Sequence, residues 1–214
     1  MKGLYWNTVD LAIATMLKQL MTVDILKPFC LVGGTALSLQ LGHRLSMDID
    51  LFTDSKYGSI EFNGIDEYLR QSHPYVSEPA SFLAGMGRSY SIGIDRASSV
   101  KLDLYYTDPF IRPILMEEGI RMASTEDIAA MKMEVISRGG RKKDFWDVHE
   151  LNRHLSIPKM IELHAERYPY GHDAAGLRAN LTNFSRADDD FDPMCLRGNY
   201  WELIKMDLEA AMGK

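Results

Sequence analysis

The stretch LVGGTALSLQLGHRLSMDIDLFTD, residues 31–54, decides how this chain folds. It places two glycines ahead of a helix-like segment and then two acids, Asp48 and Asp50, inside an apolar run. The segment SMDIDLFT alternates in polarity, which predicts a β-strand with both acids on one face. Two like charges there repel each other, and desolvating them costs several kcal/mol unless a positive charge lies between them.

A divalent cation would supply that charge, and Mg²⁺ prefers hard oxygen ligands such as carboxylates. A third acid, Asp103, lies in another alternating stretch, SSVKLDLYYTD. On a neighbouring strand it would join Asp48 and Asp50. Three carboxylates around one or two Mg²⁺ ions are the arrangement used in two-metal phosphoryl and nucleotidyl transfer.

The two glycines acquire a function beside such a site. The N-terminus of a helix presents unpaired N–H groups and the positive end of its dipole, and it therefore binds phosphate readily. Gly33 and Gly34 would let the backbone approach a triphosphate closely, and Thr35 would add a hydroxyl. The alternative is that the two glycines only form a tight turn, since glycine tolerates backbone angles that other residues avoid.

The remaining sequence predicts an α/β (α+β) protein of 214 residues in two parts. Residues 1–115 show both helix and strand patterns. Helices are predicted at 8–25 and from Thr35, a short strand at 29–32, and further strands between 75 and 106. After Pro113 the pattern becomes helical, so we expect residues 116–214 to form a helical C-terminal domain. The segment STEDIAAMKMEVISR opens this part with a capping-box-like start.

Charge and composition exclude some classes of protein. A net charge of −6 argues against a protein that coats nucleic acid generally, although it leaves room for a local basic site. No apolar run reaches transmembrane length, and the first residues lack the apolar region of a signal peptide. With two cysteines in no metal-like spacing, we expect a reduced, cytoplasmic protein without membrane contact.

The ordered motifs resemble a known family. GGTALSLQLGHRLSMDIDLF is similar to the signature of the DNA polymerase beta-like nucleotidyltransferase superfamily, and Asp103 lies where that superfamily has its third acid. Together with EDIAAMKMEVISRGGRKKDFWDVHEL, it resembles the AbiEii/AbiGii-type toxin nucleotidyltransferases. The resemblance implies a nucleotidyltransferase-fold mixed β-sheet with flanking helices, followed by the helical C-terminal domain.

The same resemblance implies roles for individual acids and glycines. Asp48 and Asp50 would hold Mg²⁺ and the nucleotide phosphates. Asp103 would complete the metal site and help to activate the attacking hydroxyl. Residues 33–35 would hold the triphosphate.

It also implies roles for residues of the later motif. Lys132 would contact phosphates or stabilise the leaving pyrophosphate, and Lys143 and Asp144 would position it or the acceptor. For Lys143 and Asp144 an ordinary helix start is the alternative, with Asp144 as a cap. Arg44 and Ser46 precede the metal acids, so they would contact phosphate or equally support the start of the strand.

Three features outside these motifs have plain interpretations. The basic run 138–143 is either a solvated face or a docking patch for an acceptor RNA, which would make binding salt-dependent. The acidic run 188–192 reads as a solvated loop. Trp146 and Trp201 read as core anchors that join helices.

The resemblance implies a Mg²⁺-dependent enzyme that transfers a nucleotide from an NTP to a hydroxyl and releases pyrophosphate. It would be the toxin of a toxin–antitoxin or abortive-infection system, with tRNA or another RNA as acceptor and a separate antitoxin protein as partner. One alternative is transfer to a small molecule or a protein side chain. The other is a nucleotide-binding module that has lost catalysis.

Overall fold

A mixed β-sheet organises the computed structural model, which describes residues 3–81 and 85–213. Its strands lie in the order β3-β4-β5-β2-β1-β7-β6. They are β1 Cys30–Leu31, β2 Asp48–Thr53, β3 Tyr75–Val76, β4 Gly87–Gly93, β5 Ser99–Tyr106, β6 Leu115–Glu117 and β7 Ile120–Met122. Mixed α/β architecture is the predicted fold class, and the prediction is confirmed.

Strand β2 lies in the middle of this sheet and confirms the strand predicted from SMDIDLFT. It pairs antiparallel with β1 and parallel with β5, in a register that sets Asp50 opposite Asp103. Ile49 and Leu51 are buried on one face, whereas Asp48 and Asp50 are half-buried on the other. The period of two therefore separates an apolar core from a face that carries acids.

Helices cover the sheet and form the second half of the chain. They are α1 Leu11–Met21, α2 Gly33–Leu41, α3 Phe62–Ser72, α4 Thr125–Ser137, α5 Lys142–Leu151, α6 Ile157–Arg167, α7 Ala174–Asn180 and α8 Trp201–Ala211. Ser124 caps α4 by accepting a hydrogen bond from the backbone N–H of Asp127, as the sequence predicts. Helix α2 ends at Gly42, whose φ of 71° is the left-handed conformation that glycine adopts without strain.

The structure differs from the sequence prediction after Pro113. There the chain forms a hairpin of β6 and β7, not a helix, and β7 pairs parallel with β1. The connecting residues Glu118 and Gly119 have φ values of 49° and 81°, which is the backbone that a two-residue hairpin turn requires. Each strand has only three residues, too few for a visible alternation, and the sheet therefore continues past residue 115.

The C-terminal helices pack through the two tryptophans that the sequence marks as core anchors. The Trp146 and Trp201 rings are stacked, with centroids 6.1 Å apart and planes 9° from parallel. Phe145 and Phe184 each meet Trp201 edge to face. These contacts join α5 to α8, and they confirm the predicted role of both tryptophans. None of the helices within residues 3–81 and 85–213 is long and apolar enough to cross a membrane.

Candidate active site

Three acids meet on the exposed face of β2 and β5. Asp50 and Asp103 are direct partners across these two strands, and Asp48 lies two residues before Asp50 on the same face. Burial, and then the charges of Asp103 and Asp48, raise the pKa of Asp50 to about 6. The predicted trio of acids therefore forms a crowded centre of negative charge.

Two lysines balance part of this charge. Lys101 Nζ lies 2.5 Å from Asp103 Oδ2, and Lys143 Nζ lies 3.6 Å from Asp48 Oδ2. Burial, and then the neighbouring Arg141, lower the pKa of Lys143. Lys143 therefore lies half-buried beside the acids, in the position where the sequence predicts a nucleotide contact.

The donor set fits a hard divalent cation by its chemistry. The Oδ1 atom of Asp103 is buried and has no hydrogen-bond partner among the described residues, and an unsatisfied carboxylate oxygen beside two further carboxylates suits Mg²⁺. Within residues 3–81 and 85–213, no group of three or more His, Cys, Asp or Glu side chains is arranged to hold a metal ion as it stands. Asp103 and Asp48 point towards Lys101 and Lys143 in this structure.

The glycine pair forms a backbone turn that closes on the acids. Gly33 has a φ of +68°, and a Cβ atom there would lie 2.7 Å from Asp50 Oδ2. A Cβ on Gly34 would overlap the Arg44 guanidinium. Both positions thus require glycine because the backbone passes so close to Asp50 and Arg44. The first N–H groups of α2 consequently lie beside the acidic centre, where the sequence predicts the triphosphate.

Thr35 does not present its hydroxyl to this cleft, in contrast to the prediction that it holds the triphosphate. Its side chain is buried, and its Oγ1 donates to the backbone carbonyl of Asp48 and lies 2.8 Å from Ser46 Oγ. These bonds tie the first turn of α2 to the first residue of β2. Thr35 and Ser46 therefore fix the position of Asp48, and Ser46 also lines the cleft.

A buried ionic network lies beneath the acids. Asp147 is fully buried and receives two hydrogen bonds from Arg44, Nε to Oδ1 at 2.7 Å and Nη2 to Oδ2 at 2.9 Å. His43 Nε2 lies 2.8 Å from Asp147 Oδ1. Lys132 Nζ lies 2.6 Å from Asp147 Oδ2 and 2.7 Å from Asp144 Oδ1. The network thereby fastens α4 and α5 to the loop that leads into β2.

The charges of this network are mutually stabilised. Burial alone would raise the pKa of Asp147, but Arg44 and Lys132 hold it well below its usual range. Burial would likewise lower the pKa of Lys132, yet Asp147 and Asp144 raise it. The ion pairs therefore outweigh the desolvation of Asp147 and Lys132, and both side chains are charged at neutral pH.

Because of this network, three residues that the sequence places near the nucleotide bind protein groups instead. The Lys132 ammonium lines the cleft but is held by Asp144 and Asp147, so it does not face phosphate directly. Arg44 supports the start of the strand, which is the second of its two predicted roles. Asp144 is buried and accepts a hydrogen bond from the Arg141 backbone N–H at the start of α5, which is its capping alternative.

The cleft that results has a volume of about 180 Å³. Its lining includes Gly33, Gly34, Asp48, Asp50 and Lys143. Carboxylates, free helix N–H groups and a lysine thus surround one hollow, which is the chemistry that binds a metal–triphosphate complex.

Sequence reasoning did not identify two residues of this site. Lys101 stands two positions before Asp103, so the period of two in a strand places both side chains on one face and would have found it. Asp147 belongs to the quoted motif, but its role in holding Arg44 depends on a contact across 103 residues. The sequence carries no signal for such a pairing.

The comparisons with known proteins identify the family. Residues 15–211 match the family described as "Nucleotidyl transferase AbiEii toxin, Type IV TA system". The chain belongs to this family. The predicted family is thereby confirmed, and the predicted enzyme class is the one that the family's description names.

A curated relative and two solved structures are also similar to this chain. A protein of Aquifex aeolicus (strain VF5), described as uncharacterised, is 32% identical over 142 residues, which are 64% of each chain, so the match spans less than two thirds of that relative's length. A putative nucleotidyltransferase from H. pylori has a TM-score of 0.57 at 19% identity, covering 94% of this chain and 90% of that one. MenT4, a nucleotidyltransferase toxin from Mycobacterium tuberculosis H37Rv, has a TM-score of 0.60 at 13% identity, covering 93% and 82%. These structural likenesses show a shared fold.

We predict that Asp147→Asn destabilises this AbiEii family member by about 3–5 kcal/mol, because it leaves Arg44 and Lys132 buried without their counter-charge. Urea denaturation followed by circular dichroism measures the free energy of unfolding. The matched control is Asp207→Asn, which removes a carboxylate that pairs with His149 but is half-exposed, and which should cost less than about 1 kcal/mol. Equal losses in the two variants would contradict this account of the network.

We predict that Asp50→Asn stabilises the protein at pH 7.5 in EDTA. In the unfolded chain Asp50 ionises near 3.8, whereas in the folded protein its pKa is about 6. Stability is therefore lost as the pH rises between these values and stays lost above them, by about 1–3 kcal/mol. Urea denaturation at pH 4.5 and pH 7.5 measures this difference, which the variant should lack. A variant less stable than wild type at pH 7.5 would contradict the prediction.

Proposed function

We propose that the protein is a Mg²⁺-dependent nucleotidyltransferase. The observation that carries this proposal is the register that sets Asp50 opposite Asp103, with Asp48 alongside, next to the glycine-opened N-terminus of α2. An acceptor hydroxyl attacks the α-phosphorus of an NTP, a new O–P bond forms, and the bond to the β-phosphate oxygen breaks. Pyrophosphate leaves with the electron pair of that bond.

The three acids, the glycine pair and Lys143 each have a task in this reaction. Asp48 and Asp50 would hold Mg²⁺, with Asp103 completing the site; the ion would neutralise phosphate charge and lower the pKa of a bound hydroxyl. The proton of the hydroxyl passes to Asp103, whose Oδ1 has no partner among the described residues. The backbone N–H groups at Gly33 and Gly34 bind the triphosphate, and Lys143 offsets the charge of the leaving pyrophosphate.

An RNA, with tRNA as the leading candidate, is the proposed acceptor. Three arginines that follow one another along the surface support this acceptor. Arg141 lines the cleft, and it also lines a neighbouring hollow together with Arg138. Arg138 in turn lines a third hollow together with Arg186. This basic line stands out on a chain of net charge −6, and it runs away from the acids as a polyanionic acceptor would.

We further propose that the protein acts as the toxin of a type IV toxin–antitoxin pair in abortive infection. The support is the family's description, together with the name of MenT4 as a nucleotidyltransferase toxin. The proposal places the protein in the cytoplasm, where NTPs and RNA are found. It also requires a cognate antitoxin protein as partner.

Incubation of the purified protein with each α-³²P-labelled NTP, Mg²⁺ and total cellular RNA tests the activity. We predict label on an RNA band in a denaturing gel, and a loss of at least about 100-fold in Asp48→Ala, since the carboxylate acts on both the metal and the phosphates. The matched control is Asp24→Ala, which removes an exposed acid that pairs with the exposed Lys27 on the surface. This control should keep wild-type activity.

The result also separates the alternatives. Label on protein or on a small molecule, with none on RNA, would replace the RNA acceptor but keep the transferase. Binding of NTP without any labelled product would instead favour a module that has lost catalysis, and it would contradict the proposed activity.

A further inference from the structure

Lys101 lies within the acidic centre, on the same face of the sheet as the three acids. The register of β2 and β5 sets Lys101 opposite Asp48, two positions before Asp103. Its Nζ lies 2.5 Å from Asp103 Oδ2. Lys143 Nζ, in contrast, lies 3.6 Å from Asp48 Oδ2, which is longer than a hydrogen bond. Of these two lysines, Lys101 therefore holds its acid more closely.

The carboxylate of Asp103 has a partner at one oxygen and none at the other. Lys101 binds Oδ2, whereas Oδ1 is buried without a hydrogen-bond partner among the described residues. The nearest hydroxyl across the sheet belongs to Ser89, which pairs with Asp103 in register, but its Oγ lies 2.9 Å from the Tyr105 hydroxyl. The Lys101 ammonium thus supplies the positive charge that Asp103 meets in this structure.

The charge of Lys101 acts on all three acids. Burial works to lower the pKa of Lys101, but the hydrogen bond and charge of Asp103, and then the charges of Asp50 and Asp48, raise it above its usual value. The ammonium is therefore charged at neutral pH. It also opposes the rise in the pKa of Asp50 that burial, Asp103 and Asp48 cause. One flexible side chain thus acts as a counter-ion for the whole centre.

A free divalent ion would compete with Lys101 for the same oxygens. Mg²⁺ binds carboxylate oxygens at about 2.0–2.1 Å, so an ion on Asp103 would lie a few ångströms from the ammonium and would be repelled by it. The Lys101 side chain is 47% exposed and can turn towards solvent, but only by giving up its ion pair with Asp103. Lys101 therefore weakens the binding of a free ion.

A metal ion that is already bound to a triphosphate meets the opposite force. The triphosphate carries more negative charge than the ion carries positive charge, so the complex as a whole is an anion. Lys101 attracts such a complex, because a charge acts over roughly 8 Å at physiological ionic strength. The same ammonium therefore repels the free ion and attracts the complex.

We propose that Lys101 makes the acidic centre select a metal ion bound to a triphosphate over the free ion. This inference rests on the proposed function, which supplies both the metal and the nucleotide. Lys101 is a positioning residue that acts through Asp103, and it takes neither the proton nor the phosphate. Its charge decides in which form the metal enters the site.

Two binding measurements on wild type and Lys101→Met test the proposal. The first titrates each protein with MnCl₂ alone and counts free Mn²⁺ by electron paramagnetic resonance, because Mn²⁺ takes the same oxygen ligands as Mg²⁺. The second is isothermal titration with the Mn²⁺ complex of each α,β-methylene NTP in turn. We expect Lys101→Met to bind free Mn²⁺ about tenfold more tightly, and the complex at least about threefold more weakly. Lys101→Gln should change both affinities in the same way.

Two variants serve as matched controls. Lys101→Arg keeps the charge and should bind both ligands as wild type does. Lys159→Met removes a lysine of nearly equal exposure, 49%, which pairs with the exposed Glu162, and it should also behave as wild type. Circular dichroism checks that every variant folds.

The opposite directions of the two changes are the sign of selection by charge. Weaker binding of both ligands by Lys101→Met would show that Lys101 only holds Asp103 in place, and it would overturn the proposal. An unchanged affinity for either ligand, or a gain for both, would overturn it as well. Failure of the proposed function is seen elsewhere, as the absence of labelled product from wild type in the transfer assay, whatever the metal titrations show.

Discussion

The buried carboxylate of Asp147 is the interaction on which the rest of the structure depends. It holds Arg44, which leads into β2, and Lys132, which belongs to α4, and it lies itself on α5. A carboxylate with no solvent contact is tolerated only because these cations surround it. The helical half of the chain is thereby fixed against the strand that carries Asp48 and Asp50, and Lys143 is brought within 3.6 Å of Asp48.

The acids above this network carry an excess of negative charge, whereas the carboxylates within the network are paired with cations. Asp50 lies beside Asp103 and Asp48, and its raised pKa records the cost of holding that charge in a half-buried place. Lys101 and Lys143 offset only part of it. Under the proposed function, this local loss of stability is the cost of an acidic centre beside helix N–H groups that would bind a cation and a triphosphate together. The ion pairs beneath the site offset the repulsion between the carboxylates at its surface.

Sequence patterns predicted the elements whose signal is local. The alternation in SMDIDLFT gave β2 and the shared face of its acids, and the paired glycines marked a turn that only glycine can make. The β6–β7 hairpin is not predicted from the sequence, because strands of three residues are too short to show an alternation of polar and apolar residues. The resemblance assigns Thr35 and Lys132 to the nucleotide and leaves Arg44 with two alternative roles, because a sequence gives the residue types near a site but not the partner that each side chain takes. Those partners lie up to about a hundred residues away, and only packing selects them.

The central claim is that the acids and the glycine turn form one site for a metal–nucleotide complex. Isothermal titration with an α,β-methylene NTP, whose carbon bridge blocks transfer, tests it most directly. The account predicts saturable binding of one nucleotide per chain that requires Mg²⁺ and is lost in Asp50→Asn. No binding by the wild-type protein in Mg²⁺, or equal binding by the variant, would contradict it.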